Sequence, residues 1–278
     1  MKKYVEKIVR ACSERAYRYH RARTLIEMIV TLNREIAVPI THGSTELLIS
    51  VPNKLSRYRA ETFSSKEPET LVWIDDFPPN SVLWDVGANI GLYSIYAAKR
   101  PDIQVVAFEP SIFNLEFLAR NVEINRLADR VCIVPLPLNN KATVGKLAFS
   151  NVEWGGALST FENVTGWDGT PIRPVFNYQT VSLSMDQIIE VFDLQKPTHI
   201  KIDVDGNEEL ILRGGREVLR STKSVLVEIN DELVEEAQSC RQVLLDAGFE
   251  LTGKYQDQAC RNTKFQGIHN QIWARLDL

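Results

Sequence analysis

The sequence predicts an α/β domain built on a mostly parallel sheet, and three observations predict it. Short apolar runs recur along the chain, and helix-compatible segments follow them. A glycine turn, Asp85-Val86-Gly87-Ala88-Asn89-Ile90-Gly91, joins the run Val82-Leu83-Trp84 to an apolar segment over 92–100. Acids close successive runs, Asp85 the first and Glu109 the second. Alternation of this kind demands parallel strands joined by right-handed crossovers.

The elements follow in order. Residues 1–36 carry nine Lys or Arg against four Glu. Val5, Ile8, Val9, Cys12 and Ala16 recur at helical spacing, and a second apolar segment runs from Leu25 to Leu32. Such a basic amphipathic stretch reads either as a helix lying on an anionic membrane surface or as one packed on the domain or at a homodimer interface. Around Gly43 the pattern over 40–51 turns strand-like and predicts a hairpin, which Pro52-Asn53 ends. Residues 1–55 are therefore set apart as a basic helical segment and hairpin, and 56–278 as the main domain. Strands are expected at 81–85, 104–108, 131–135, 199–204 and 224–229. Helices are expected near 92–99, 111–126, 185–192, 208–219 and 231–247. Ser184 with Gln187 reads as a capping box opening the third of these. The stretches 248–251 and 271–274 read as a closing pair of strands.

Residues 139–180 break the alternation. They are rich in Gly, Asn and Thr and include Trp154, Phe161, Trp167, Phe176 and Tyr178. Long irregular insertions are commonly binding loops. The alternative is a β elaboration that packs its aromatics inward.

Composition bounds the function. The chain has 278 residues, with 44% hydrophobic and 24% charged residues, which is ordinary for a soluble globular domain with an extension. A formal net charge of −4 argues against a general nucleic-acid binder. Four scattered cysteines without metal or redox spacing, no signal-like start and no apolar run near membrane length place the protein in the cytoplasm as an expectation.

The glycine turn also restricts the ligand. A dinucleotide fingerprint needs three glycines at G-x-G-x-x-G spacing. Here Asn89 stands where the second would be, and Asp85 would repel a pyrophosphate. Glu109 lies one βα unit on, where a carboxylate accepts ribose hydroxyls. Two acids, a glycine turn and no phosphate cradle describe S-adenosylmethionine better than NAD or ATP.

At this point the chain resembles the FkbM-type methyltransferases. The resemblance is carried by Asp85-Val-Gly-Ala-Asn-Ile-Gly-Leu-Tyr93, Ala107-Phe-Glu-Pro110, Asn121-Val-Glu-Ile-Asn125, Lys201-Ile-Asp-Val-Asp-Gly206 with Glu208, and Val225-Leu-Val-Glu-Ile229. It implies a class I methyltransferase (Rossmann-like) fold with a seven-stranded, mostly parallel sheet and an antiparallel last strand. It further implies O-methylation of a sugar or sugar-bearing small molecule, such as a glycan or natural product. N- or carboxyl-methylation and a catalytically silent cofactor-binding scaffold remain the alternatives.

Site residues follow from the sheet edge, because ligands of open α/β sheets bind at the carboxyl ends of the strands. Cofactor contacts are expected from Asp85, Gly87, Ala88, Asn89, Gly91, Glu109 and Pro110, with Ser111 and Asn114 walling the adenine side. The family more often has a small-residue turn with an acid after the third strand. This chain has Pro137-Leu138-Asn139-Asn140, so Asn139 is assigned the adenine contact. The resemblance further implies that the segment 59–73 folds over the methionine end of the cofactor, where Lys66 would pair with its carboxylate, the alternative being a surface lysine beside Glu67. Catalysis is assigned to Asp203, Lys201 and Glu228: Asp203 as base with Lys201 keeping it ionised, or Lys201 itself as base if desolvated. His269 is a lesser base. Asp203 with Asn230 and Asp231 forms a rival, Mg2+-binding reading of the same acids.

Overall fold

The computed structural model describes residues 7–8, 10–15, 22–162, 166, 169–171, 173–256, 263 and 265–275. Val5, Val9, Ala16 and Trp167 lie outside the described residues. Helix α1 (Ala22–Glu35) leads into the hairpin β1 (Ala37–His42) and β2 (Thr45–Ser50), then helices α2 (Lys54–Lys66) and α3 (Pro68–Asp75). Alternation follows with β3 (Val82–Val86), α4 (Leu92–Ala98), β4 (Gln104–Phe108), α5 (Ile112–Ile124) and β5 (Val131–Val134). Three further strands, β6 (Thr143–Phe149), β7 (Ser159–Phe161) and β8 (Phe176–Ser182), occupy the insertion. The chain then runs through α6 (Met185–Phe192), β9 (His199–Ile202), α7 (Glu208–Arg213), α8 (Arg216–Ser221), β10 (Ser224–Asn230), α9 (Val234–Asp246), β11 (Glu250–Tyr255) and β12 (Ile268–Ala274).

Seven strands form the main sheet in the order β11-β12-β10-β9-β3-β4-β5. The β3, β4, β5, β9 and β10 neighbours pair parallel, while β12 runs antiparallel to both β10 and β11. The class I architecture with its reversed last strand is therefore present. Its central strands are buried on both faces, which is why they read as unbroken apolar runs. On one face Leu83, Val105 and Ala107 pack with Ile95, Phe117 and Leu118. On the other, Trp84, Phe108, Ile200 and Ile202 pack with Ile211 and Leu219.

The hairpin is tied into this core. Leu47 and Ile49 are fully buried. Asn121 Oδ1 accepts from the Ser50 amide at 2.8 Å, while Asn121 Nδ2 donates to the Ile90 carbonyl in the glycine turn at 2.7 Å. Asn125 bonds both backbone groups of Leu48. The two asparagines of the Asn121–Asn125 motif thus clamp hairpin, helix and turn together. In α1, by contrast, Ile26, Met28, Ile29 and Val30 are exposed. Among the described residues no helix is long and apolar enough to cross a membrane.

The structure departs from the expected elements in two places, and it resolves the insertion into the β elaboration read as one alternative. The helix expected at 208–219 is two, because Gly214 and Gly215 pack where a Cβ would lie 2.4 Å from the Asn139 carbonyl and 2.1 Å from Met185 Cε. The helix expected from 231 starts at Val234, since Asn230 Oδ1 accepts from the Glu232 amide and holds a turn there. The insertion is a three-stranded antiparallel sheet, order β7-β6-β8. The capping box at Ser184 and Gln187 forms as expected.

One backbone contact holds the turn after β3. Gly87 has φ +86, and a Cβ built there would sit 1.9 Å from the carbonyl oxygen of Asp203. No side chain fits both the dihedral and the space. Gly87→Ala is expected to lose more than about 2 kcal/mol of stability in urea unfolding, from left-handed strain plus displacement of β9.

Candidate functional site

The glycine turn crosses the top of the sheet, and a cavity opens on each side of it. The larger, of about 570 Å3, is lined by Glu109, Pro110 and Asn114 on one side and by Leu136, Leu138 and Phe161 on the other. The second, of about 500 Å3, is lined by Arg59, Lys66, Glu67, Tyr93, Lys201 and Asp203. Gly87, Asn89 and Asp203 line both. The strands' two-residue period explains the division. Val86 and Phe108 face the larger cavity, whereas Lys201 points to the opposite face of the sheet.

Glu109 is buried at the end of β4. Its Oε2 accepts from the Asn89 amide at 2.7 Å and its Oε1 from the Ser111 amide at 2.8 Å. Burial pushes its carboxyl up to about 7 despite those bonds. The Asn114 side chain adds a further hydrogen bond, and the lone pairs that remain can accept a hydroxyl. Asn89 makes this possible by adopting φ 53, a left-handed conformation that asparagine tolerates.

The smaller cavity is floored by a charge cluster. Lys201, 1% exposed, donates to Asp203 Oδ2 at 2.7 Å and lies 5.1 Å from the centre of the Tyr93 ring. Burial alone would lower its pKa, but Asp203, Glu67 and Asp85 raise it above the ordinary lysine value. Lys66 donates to Glu67 Oε1 at 2.6 Å, and Tyr93 donates to Glu67 Oε2 at 2.9 Å. Burial would raise the Asp203 pKa, yet Lys201 and Lys66 hold it below the usual carboxylate range. Two corrections follow. Lys201 stays charged and has no lone pair with which to take a proton, and Asp203 is a weaker base than an ordinary carboxylate.

Asp85 lies beneath this cluster and lines neither cavity. Its Oδ2 accepts from Ser94 Oγ at 2.5 Å, and burial raises its pKa against the pull of Lys201. Gly91 likewise supports the turn from below, since a Cβ there would meet Leu118 Cδ1 at 2.4 Å. Ala88 lines the smaller cavity and Pro110 the larger. Asn139 does not reach the site. Its amide N–H bonds the Leu183 carbonyl and its Oδ1 accepts from the Asn140 amide.

The insertion supplies both alternatives read from the sequence. Its aromatics pack inward: Phe149 lies 5.7 Å from Phe113 and 5.4 Å from Tyr178, ring centre to ring centre. Its loop over 151–158 is a strap across the turn. Arg59 Nε donates to the Gly155 carbonyl at 2.7 Å, Asn89 Nδ2 to the Gly156 carbonyl at 2.8 Å, and the Leu158 amide to Asp205 Oδ2 at 2.7 Å. Asn114 Oδ1 accepts from the Gly155 amide at 3.0 Å. Glu67, Tyr93 and Arg59 were not singled out by the sequence reading, because only tertiary packing carries α2 and the first turn of α4 to the sheet edge.

A third cavity, of about 370 Å3, opens beside Asp205 at the ends of β9 and β10, with Glu208, Glu228 and Asn230 in its wall. Glu228 stands on β10, one residue before Ile229, with its carboxyl group at the wall of this cavity. Burial, with Asp203 and Glu67 nearby, raises its pKa well above the carboxylate range. The residues do not fit the expected Mg2+ site. Asp231 is already held by Arg241, by Lys254 at 2.5 Å and by His269 at 2.8 Å, and Asp203 by Lys201. Among the described residues no three His, Cys, Asp or Glu are grouped to hold a metal. His269, bound to Asp231 and to the Gly267 carbonyl, is committed to that network.

A family model described as the methyltransferase FkbM domain matches residues 85–251. The hexuronic acid methyltransferase AglP of Haloferax volcanii is 27% identical over 219 residues, covering 74% of this chain and 84% of that protein. The 2-O-methyltransferase NoeI of Sinorhizobium fredii is 26% identical over 239 residues, covering 78% of this chain and 96% of that protein.

Lys201→Met keeps the volume and strips the positive charge from among Asp203, Asp85 and Glu67. Unfolding in urea at pH 7 is expected to show a loss of about 3–5 kcal/mol, the cost of leaving buried charges unpaired. A loss under about 1 kcal/mol would mean that the carboxylates are not held by this lysine.

Proposed function

Because the chain belongs to the FkbM methyltransferase family, we propose that it transfers a methyl group from S-adenosylmethionine to a hydroxyl of a sugar or sugar-containing small molecule. The observation that carries the reading is the meeting of two cavities at Gly87, Asn89 and Asp203, with a ribose-type carboxylate on one side and a charged cluster on the other. The named activities of AglP and NoeI support a sugar hydroxyl as acceptor.

Bound S-adenosylmethionine supplies an electrophilic methyl group on a sulfonium centre. This chain's residues supply the rest. Glu109 accepts the ribose hydroxyls, with Asn89 and Ser111 fixing its orientation. The apolar walls Leu136, Leu138 and Phe161 take the adenine, next to Pro110. Lys66 meets the methionine carboxylate from α2, and Arg59 flanks it. Asp203, kept ionised by Lys201, presents a fixed negative charge where the cavities meet, which suits a cationic centre. Asp85 and Gly91 hold the turn from beneath.

The hydroxyl to be methylated must lose its proton during attack. Glu228 fits that task better than Asp203. It faces the cavity beside Asp205, and burial raises its pKa, which makes it a stronger base than Asp203 once ionised. Lys201 acts through Asp203 as a positioning residue.

Calorimetry with S-adenosylhomocysteine tests the cofactor half. Micromolar binding is expected in the native chain, and no binding would overturn the reading. The Glu109 pKa of about 7 gives the pH dependence its sign. Below that pH the protonated carboxyl offers one acceptor fewer, so affinity is expected to rise by up to about tenfold from pH 6 to pH 8. In Glu109→Gln the affinity should be weaker and flat with pH.

Acceptor turnover with labelled S-adenosylmethionine tests the other half, over a panel of hexuronic acids and neutral glycosides. Glu228→Gln is expected to lower kcat by about 10²- to 10⁴-fold with little change in S-adenosylhomocysteine affinity. An unchanged kcat would remove Glu228 from the proton transfer.

A further inference from the structure

The larger cavity is walled by Phe108, Leu136, Leu138, Leu147, Phe161 and Ile211. Such walls suit a flat ring, and the polar edge of a purine must find its partners among the polar side chains at their margin, Asn114, Ser159, Asp205 and Asn207. A buried amino N–H left unpaired there would weaken binding by the full desolvation penalty. The segment after β5 does not supply the missing acceptor. It reads Leu136-Pro137-Leu138, and Asn139 beyond it is turned away to Asn140 and Leu183.

Asn207, between β9 and α7, lines the same cavity and is only 5% exposed. Its Nδ2 donates to the Phe161 carbonyl at 3.0 Å and to Thr160 Oγ1 at 3.4 Å. The Phe161 carbonyl can only accept, which fixes which branch of the amide is nitrogen. The other branch, Oδ1, is buried and has no partner. A buried amide oxygen in this state calls for a donor from whatever fills the cavity.

We propose that Asn207 Oδ1 accepts a hydrogen bond from the 6-amino group of the cofactor's adenine, and that this bond makes the site select a 6-aminopurine over a 6-ketopurine. The inference rests on the S-adenosylmethionine reading above. Its chemistry is a matter of direction. The amino group is the one donor on that edge of adenine, whereas a keto oxygen at the same place would set acceptor against acceptor. β7 orients the amide through Phe161, so the insertion contributes to the cofactor site through a side chain that it does not itself carry. The discrimination belongs to the class in which a site built to bond a polar group rejects the analogue lacking it.

The test is calorimetry of the full chain with S-adenosylhomocysteine and S-inosylhomocysteine, in the native protein, in Asn207→Leu and in Asn207→Ser. The native protein is expected to bind the adenosyl compound at least about tenfold more tightly. In either variant the ratio between the two compounds should fall to within about threefold, whatever the change in absolute affinity. A residue with a purely structural role would weaken both compounds alike and leave the ratio unchanged, and that result would overturn the proposal. Equal affinity of the native protein for the two compounds would also overturn it, with no variant required. If the native protein binds neither compound, the cofactor reading itself fails and the role of Asn207 falls with it. Binding that keeps the adenosyl preference in both variants retains the cofactor but assigns its recognition to another group.

Discussion

The contact between Gly87 and the carbonyl of Asp203 governs the site. β3 and β9 are neighbours in the sheet and end at the same height. The chain leaving β3 must therefore turn directly over the end of β9. With 1.9 Å between a hypothetical Cβ and a backbone oxygen, that passage is open to glycine alone. Everything else follows from where the turn then lies. It frees the Asn89 amide for Glu109, starts α4, and divides the space above the sheet into two cavities with Asp203 common to both.

Charge balance is the second constraint. Lys201 sits among apolar strands, where an isolated ammonium would be very costly, and it is retained because Asp203, Glu67 and Asp85 surround it. The compensation reaches across elements. Glu67 arrives from the junction of α2 and α3, and Tyr93 from α4, and each engages the cluster through short bonds. The cluster leaves Asp203 anionic and Lys201 cationic, so neither is suited to take up a proton. Glu228, on the next strand, is shifted the other way, upward, by burial and by Asp203, Glu67, Asp205 and Glu208. Two acids at the same sheet edge are thus shifted in opposite directions by their neighbours.

The insertion acts on the site from a distance. Its small core of Leu147, Phe149 and Phe161 anchors a separate sheet against Phe113 of α5. From that base the strap over 151–158 is bonded to Arg59, Asn89, Asn114 and Asp205, one group from each of four different places in the chain. A loop so tethered covers the junction of the cavities while leaving its own backbone polar groups satisfied.

The sequence by itself determined the sheet and the turn, and it marked the acids at the strand ends. Those features are local: a buried parallel strand must be apolar throughout, and a turn with φ beyond the L-residue range must be glycine. Asp85 and Glu109 were legible as the acids that close successive apolar runs. Tertiary structure decided which residues line the cavities and in what charge state. Asp85 proved to lie under the turn, Asn139 to face its own neighbour, and Asp231 to be held by Arg241, Lys254 and His269. Tyr93 was visible only as the end of a motif, and Asn207 and Arg59 were not read as site residues, because their contacts come from partners far off in sequence. Protonation and hydrogen-bond vacancy are properties of a surrounding, and no single segment of sequence contains its surrounding.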